Sequence, residues 1–200
     1  MERFRIGIWV WNGVEELDFA GPYEVLTAWA RMARDEREIS VKLVAESTEP
    51  ITCSHGLRVI PDVALADLGP VDLFVHPGGQ VGPLLEDEAF QQQLRDRAAS
   101  TLMTSVCNGA VVYGHAGLLT GRPAATHWSA IESLAELGVH VDPDARFVDD
   151  GTVVTSAGVS AGIDMSLHLV ARLHSEEAAE LVRRYIQYEP AAPVRRADAL

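Results

Sequence analysis

Strand-length apolar runs alternate with stretches of helical period from one end of this chain to the other. Phe4 to Trp11 predicts a first strand. Ile39 to Ala45 and Val71 to His76 predict two more, the last stopping at Pro77-Gly78-Gly79. Thr101 to Val106 is short, apolar and partly β-branched, as a strand covered on both faces is. Val25, Leu26, Trp29 and Met32 recur near helical spacing behind Gly21-Pro22, which predicts a helix introduced by that pair, since a first turn tolerates Pro. Glu88 to Ala99 reads as an amphipathic helix, and Gly109 to Leu119 as a helix stopped by Gly121-Arg122-Pro123. Thr126-His127-Trp128 precedes a helix through Leu137. Phe147-Val148 and Thr152 to Thr155 flank a hairpin turn at Asp149-Asp150-Gly151. Two helices follow, Ile163 to Leu173 and Glu176 to Tyr188, the second stopped by Pro190.

This alternation predicts an α/β fold, a mainly parallel sheet between two layers of helices. Ligands in such sheets bind beyond the carboxyl ends of the strands. The loops predicted to converge there are Asn12 to Asp18, Pro77 to Gly82 and Cys107-Asn108. Residues 1–190 make a single domain, with 191–200 a polar arm or tail.

Within that frame one segment carries chemistry. Ser105-Val106-Cys107-Asn108-Gly109-Ala110 places a cysteine at the turn between a buried strand and a helix. A sharp strand-to-helix turn exposes its apex residue, and the free N–H groups of the helix start favour a thiolate there. This is the thiol analogue of a serine nucleophile elbow. A small buried core cysteine is the alternative the pattern leaves open.

Charge and composition narrow the partners. With 48% hydrophobic and 22% charged residues, the 200-residue chain is an ordinary globule. A formal charge of −13 speaks against nucleic acid and anionic membrane surfaces, both of which need a lysine and arginine excess. No 20-residue apolar span is visible, and Met1 to Arg5 runs into a strand rather than a signal peptide. Two cysteines without metal-ligand spacing fit a reducing cytoplasm.

Six ordered segments together resemble the DJ-1/PfpI superfamily, in the branch that contains isocyanide hydratases and some regulator sensor domains. They are Leu17 to Val25, Pro77-Gly78-Gly79, Ser105 to Ala110, Ala116 to Leu119, Ala125 to Trp128 and Thr155 to Asp164; the closing Tyr185 to Pro190 is similar too. The resemblance spans about residues 4 to 190. It implies a flavodoxin-like three-layer sandwich, akin to class I glutamine amidotransferases, a homodimer, a small-molecule substrate, and no metal or organic cofactor. It implies Cys107 as nucleophile and Asp18, the acid of the Leu-Asp-x-x-Gly-Pro pattern, as the carboxyl bonded to its sulfur; Glu15 and Glu16, nearer the loop tip, are the alternatives. It also implies an anion-stabilising pocket around Gly78, Gly79 and Asn108, with His127 of Thr126-His127 as a possible pocket residue.

Asn108 departs from the pattern. Protease-like members place His directly after the cysteine, so its absence argues against a peptidase that uses that base; isocyanide hydratases usually carry Thr there. Asn offers both a donor and an acceptor from the same place. A thiol beside a lone carboxyl suits addition to an isocyanide carbon through a thioimidate, released by water as an N-formamide. Glyoxalase or deglycase chemistry on methylglyoxal is a second enzyme reading, and a redox or ligand sensor with an oxidisable cysteine is the non-enzyme reading. His76 is unusual at a buried strand end, either structural or facing the pocket; Asp164 reads as a helix-start residue or a pocket wall. Cys53 reads as an inert or incidentally oxidisable thiol in a polar connection, and Trp9, Trp11 and Trp128 as packing residues, with Trp11 close enough to Asp18 in sequence to wall a pocket.

Overall fold

The computed structural model describes residues 3–189. In chain order its elements are β1 (Arg3–Trp9), α1 (Glu16–Met32), β2 (Glu38–Ala45), β3 (Ile51–Thr52), β4 (Arg58–Val59), β5 (Val63–Ala64), β6 (Leu73–His76), α2 (Gly82–Glu86), α3 (Glu88–Ala98) and β7 (Leu102–Val106). They continue with α4 (Gly109–His115), β8 (Pro123–Ala124), α5 (Ile131–Ala135), β9 (His140–Val141), β10 (Phe147–Asp149), β11 (Val153–Ser156), α6 (Ala161–Leu173) and α7 (Glu176–Tyr185). The Pro190 stop and the 191–200 arm lie outside the described residues.

Seven strands form the main sheet in the order β10-β11-β7-β6-β1-β2-β5, every pair parallel except β10 with β11. This is the α/β sandwich anticipated from the alternation. The central strands are apolar on both faces because both are covered. On β1, Phe4, Ile6 and Ile8 join the cluster under α1 and α6, while Trp9 joins the opposite one with Phe74, Phe90 and Met103. Gly7 is small because Phe74 and Val44 side chains stand 3.3 Å from where its Cβ would be.

Consecutive strands turn outward in opposite directions from β1: β2 lies on one side, β6 and then β7 on the other. Loops leaving β1 and β6 therefore part to opposite faces and open a crevice at their carboxyl ends. Asp18, Gly78 and Cys107 follow β1, β6 and β7.

Several element boundaries differ from expectation. α1 starts at Glu16, so Pro22 lies inside it rather than in its first turn. Pro22 has no N–H, but Gly21 and Pro22 form the seat for α6: a Cβ on Gly21 would stand 3.0 Å from Ile163, and one on Gly162 3.1 Å from Pro22. Close packing of two helices outweighs the local cost of an interior proline. α4 ends at His115, four residues before the predicted Leu119, and α7 ends at Tyr185, with Gln187 in the left-handed region at φ 52°.

Candidate active site

Cys107 occupies the turn between β7 and α4 with φ 60°, a conformation L-residues rarely adopt and a β-substituted side chain pays for. The turn is held from several directions. The Cys107 N–H donates to the Ser156 and Ala157 carbonyls at 3.2 and 3.1 Å, and Thr126 Oγ1 donates to the Cys107 carbonyl at 2.9 Å. Gly109 lets α4 start close against β6, because a Cβ there would sit 2.5 Å from both the His76 and Pro77 carbonyl oxygens. Sequence alone suggested the elbow; Thr126 and the end of β11, which fix it, carried no signal beyond their place in the motifs.

Asp18 lies in the first turn of α1 and is fully buried. Its Oδ2 accepts the Gly78 N–H at 2.8 Å, its carboxyl stands beside the Cys107 thiol and interacts with it, and its Oδ1 is buried with no hydrogen-bond partner among the described residues. Burial lifts this carboxyl to about 7, opposed by the Gly78 bond and helped by the Glu15 charge. Burial also pushes the Cys107 thiol up, to about 12, and the neighbouring Asp18 adds to the rise, against the pull of the Asn108 and Val159 N–H groups. The expected depression of the thiol by the helix start is therefore overturned: α4 has only seven residues, and desolvation beside a carboxyl outweighs two N–H donors. The two groups titrate as a coupled pair.

Gly78, Gly79 and Asn108 surround the pair, yet of the backbone donors anticipated there the two glycine N–H groups are already engaged, while the Asn108 N–H reaches the sulfur. The Gly78 N–H goes to Asp18 and the Gly79 N–H to Asn108 Oδ1 at 2.8 Å, while Asn108 Nδ2 donates back to the Gly79 carbonyl at 2.9 Å. Asn108 thus clasps the N–H and the carbonyl of one residue with the two ends of its amide. The backbone N–H groups that reach the sulfur are those of Asn108 and Val159. Val159 was missed; it has φ 47°, and a β-branched residue in that region is an outlier.

Glu16 does not join the pair. It accepts from the His55 N–H at 2.7 Å and approaches His55 Nδ1 at 2.9 Å, pinning the turn between β3 and β4. Glu15, Glu16 and His55 cluster there, partly exposed. His127 packs on Gly158, where a Cβ would stand 2.3 Å from its ring, and its Nδ1 lies 2.7 Å from Ser129 Oγ. Its neighbour Trp128 is 78% exposed, so it is not the packing residue expected; Trp9 is buried against Phe90, and Trp11 Nε1 donates to the Gln80 carbonyl at 3.2 Å. Asp164 lies in the first turn of α6, as expected of a helix-start residue, but its side chain does not cap it: it accepts from Arg146 at 2.7 Å and from Tyr188 at 3.0 Å. Cys53 is buried rather than in an open polar connection, its thiol pushed up to about 11 by burial and by Glu16 and Glu15.

Comparison with known proteins agrees with this architecture. The DJ-1/PfpI family model matches residues 4–172. The isonitrile hydratase of Pseudomonas putida is 39% identical over 191 residues, which cover 94% of this chain and 80% of that protein. The crystal structure of a ThiJ/PfpI family protein from Pseudomonas syringae superposes with a TM-score of 0.85 at 31% identity, over 97% of this chain and 78% of that one. Drosophila melanogaster DJ-1beta, at 22% identity, shares the fold with a TM-score of 0.84, over 95% of this chain and all of the other. No helix of the described residues is long and apolar enough to cross a membrane.

Proposed function

The chain belongs to the DJ-1/PfpI family, and we propose that within it the protein hydrates an isocyanide to an N-formamide, with Cys107 as nucleophile and Asp18 as the proton carrier. The observation that carries this reading is the pairing of a buried thiol with a single carboxyl whose Oδ1 is buried with no hydrogen-bond partner among the described residues and whose titration is lifted to about 7. A carboxyl so tuned both takes and returns a proton near neutral pH. Asn108 follows the nucleophile and its amide is committed to Gly79, so the position holds no imidazole base for a poor amine leaving group.

The steps balance through Asp18. As the sulfur bonds to the terminal carbon of R–NC, the thiol proton passes to the carboxylate and from it to the same carbon, leaving Cys107–S–CH=N–R. Water then adds across the C=N bond: Asp18 takes its proton and the nitrogen receives one. The adduct S–CH(OH)–NHR collapses, the C–S bond breaks, and the hydroxyl proton returns by way of Asp18 to the sulfur. R–NC and water have become R–NH–CHO. The N–H groups of Asn108 and Val159 stabilise the charge that the sulfur carries between these steps. One difficult hydration becomes two easier steps.

The test is formamide formation from a series of alkyl isocyanides, beside lactate formation from methylglyoxal. Formamide with kcat/KM well above the methylglyoxal value is expected, lost in Cys107→Ala and largely kept in Cys53→Ser. Rapid quench should add the mass of the substrate at Cys107. No formamide from any isocyanide together with robust lactate formation overturns the assignment of substrate, and equal turnover in Cys107→Ala overturns the assignment of nucleophile.

A further inference from the structure

Gly78 and Gly79 hold both polar partners of the thiol's surroundings, so whatever sets their orientation sets the geometry of the pair. Residues 77–80 are tied on one side to the loop after β1: Glu15 N–H donates to the Gly78 carbonyl and Gln80 N–H to the Gly13 carbonyl, each at 2.9 Å. On the other side stands His76, fully buried at the end of β6. Its ring is packed among Trp11, Phe90 and Tyr113, with centroids 5.4, 5.9 and 5.6 Å away. Its Nδ1 lies 2.7 Å from the Pro77 carbonyl oxygen. A carbonyl oxygen only accepts, so the proton of the neutral ring must be on Nδ1.

We propose that His76 is a positioning residue: its Nδ1–H, donated to the Pro77 carbonyl, orients the Pro77–Gly79 strip that presents the Gly78 N–H to Asp18 and the N–H and carbonyl of Gly79 to Asn108. The proposal deepens the hydratase reading and rests on it for the importance of Asp18, but its geometry is independent of the substrate. The Pro77 carbonyl oxygen is also one of the two against which Gly109 packs at the start of α4. A leucine of similar size would fill the aromatic box and leave that carbonyl without its donor. Nothing about a core role requires the donor; any apolar side chain buries as well. The ring has its reason in the hydrogen bond.

His76 also holds its neutral form. Burial pushes it down to about 4, against the Pro77 bond, because an imidazolium among three aromatic rings has lost its water. The Nε2 lone pair has no partner among the described residues, so the donor that matters is Nδ1 alone. Asp18, the group read out below, faces Gly78 from the β6 loop, Cys107 from the elbow and the charge of Glu15 from its own loop. Of these, only the Gly78 bond is under the control of His76.

The test compares His76→Leu with His76→Asn, whose Nδ2 sits near the place of the imidazole Nδ1 and can donate to the same carbonyl. The readout is NMR of protein labelled at the aspartate γ-carboxyl carbon, with Asp18→Asn assigning the resonance, so no substrate is needed. In His76→Leu the Gly78 N–H no longer steadies the Asp18 carboxylate, and the Asp18 midpoint should rise by roughly half to one pH unit, the share one N–H donor contributes. His76→Asn should return most of that shift and most of kcat, which His76→Leu lowers about tenfold with little change in KM. An unchanged Asp18 midpoint in His76→Leu, or a His76→Asn variant as shifted as His76→Leu, overturns the proposal. Failure of every isocyanide to react, with the midpoint shift present, leaves the positioning role standing and removes only the substrate.

Discussion

Replacing Asp18 with Asn should make the protein more stable, and by an amount that depends on pH in a calculable way. The wild-type carboxyl is lifted from its ordinary 3.8 to about 7, chiefly by burial. In the unfolded chain it ionises near 3.8, so its contribution to stability is intact below that pH and is lost as pH rises through about 7. Between those limits the folded state falls by about 1.4 kcal/mol per pH unit relative to a non-titrating side chain. The total is about 4 kcal/mol by pH 8. At pH 4 the folded wild-type carries a neutral carboxyl, so Asn differs from it by little more than one polar hydrogen and keeps an oxygen for the Gly78 N–H. The variants should then agree to within about 1 kcal/mol.

Urea unfolding of both proteins at pH 4, 5, 6, 7 and 8 measures this directly. With a slope of about 2 kcal/mol per molar urea, the midpoint of Asp18→Asn should run ahead of wild type by about 2 M at pH 8 and nearly coincide at pH 4. Other titrating groups are common to both and cancel in the difference; the Cys107 thiol, pushed up to about 12, stays protonated across the range. Turnover should move the other way, falling roughly 100-fold or more, the loss expected with a general acid. The two changes together are a stability–activity trade-off at a single buried charge. A stability difference constant to within about 0.5 kcal/mol from pH 4 to 8 would falsify the reasoning, since Asp18 would then ionise as freely folded as unfolded.

Two further outcomes follow from the same crevice and its surface. Gly78→Ala would put a Cβ 2.2 Å from Asn108 Oδ1, 2.8 Å from Asp18 Oδ2 and 2.9 Å from Cys107 Cβ. Overpacking of that kind should cost about 2 kcal/mol, seen as a Tm lower by roughly 4–8 °C, and thermal scans that coincide with wild type would show the clasp to be slack. We also propose a homodimer, as the family resemblance implies; sedimentation at micromolar concentration should give twice the 21.7 kDa chain mass, and a single-chain mass refutes it.

How much of this was legible depends on what kind of physics set each feature. The strands, the parallel sheet and the elbow follow from hydrophobic runs and turn residues, which are local and survive in one dimension. Asp18 was reachable because the Leu17 to Pro22 segment is distinctive, but its burial was not: the acid lies inside α1 only because Gly21-Pro22 serves the contact with α6, and read locally those two residues mark a helix start. The direction of the Cys107 shift was misjudged for a related reason. A helix N-terminus is visible in sequence, whereas burial of the thiol beside a carboxyl from another element is not. Asn108 shows the same limit from the other side. It was read as a pocket residue with a donor and an acceptor to offer, and its amide is instead spent on the N–H and carbonyl of Gly79, a partner 29 residues away. Val159 carried no chemical signal at all, since any residue supplies an N–H; only its left-handed backbone, imposed by the loop between β11 and α6, makes that N–H useful. The elements that could be read are those whose causes lie within a dozen residues. Those that could not are backbone donors and desolvation, which belong to the crevice where the chain turns back on itself, and there a side chain's chemistry is set by neighbours that the sequence does not place beside it.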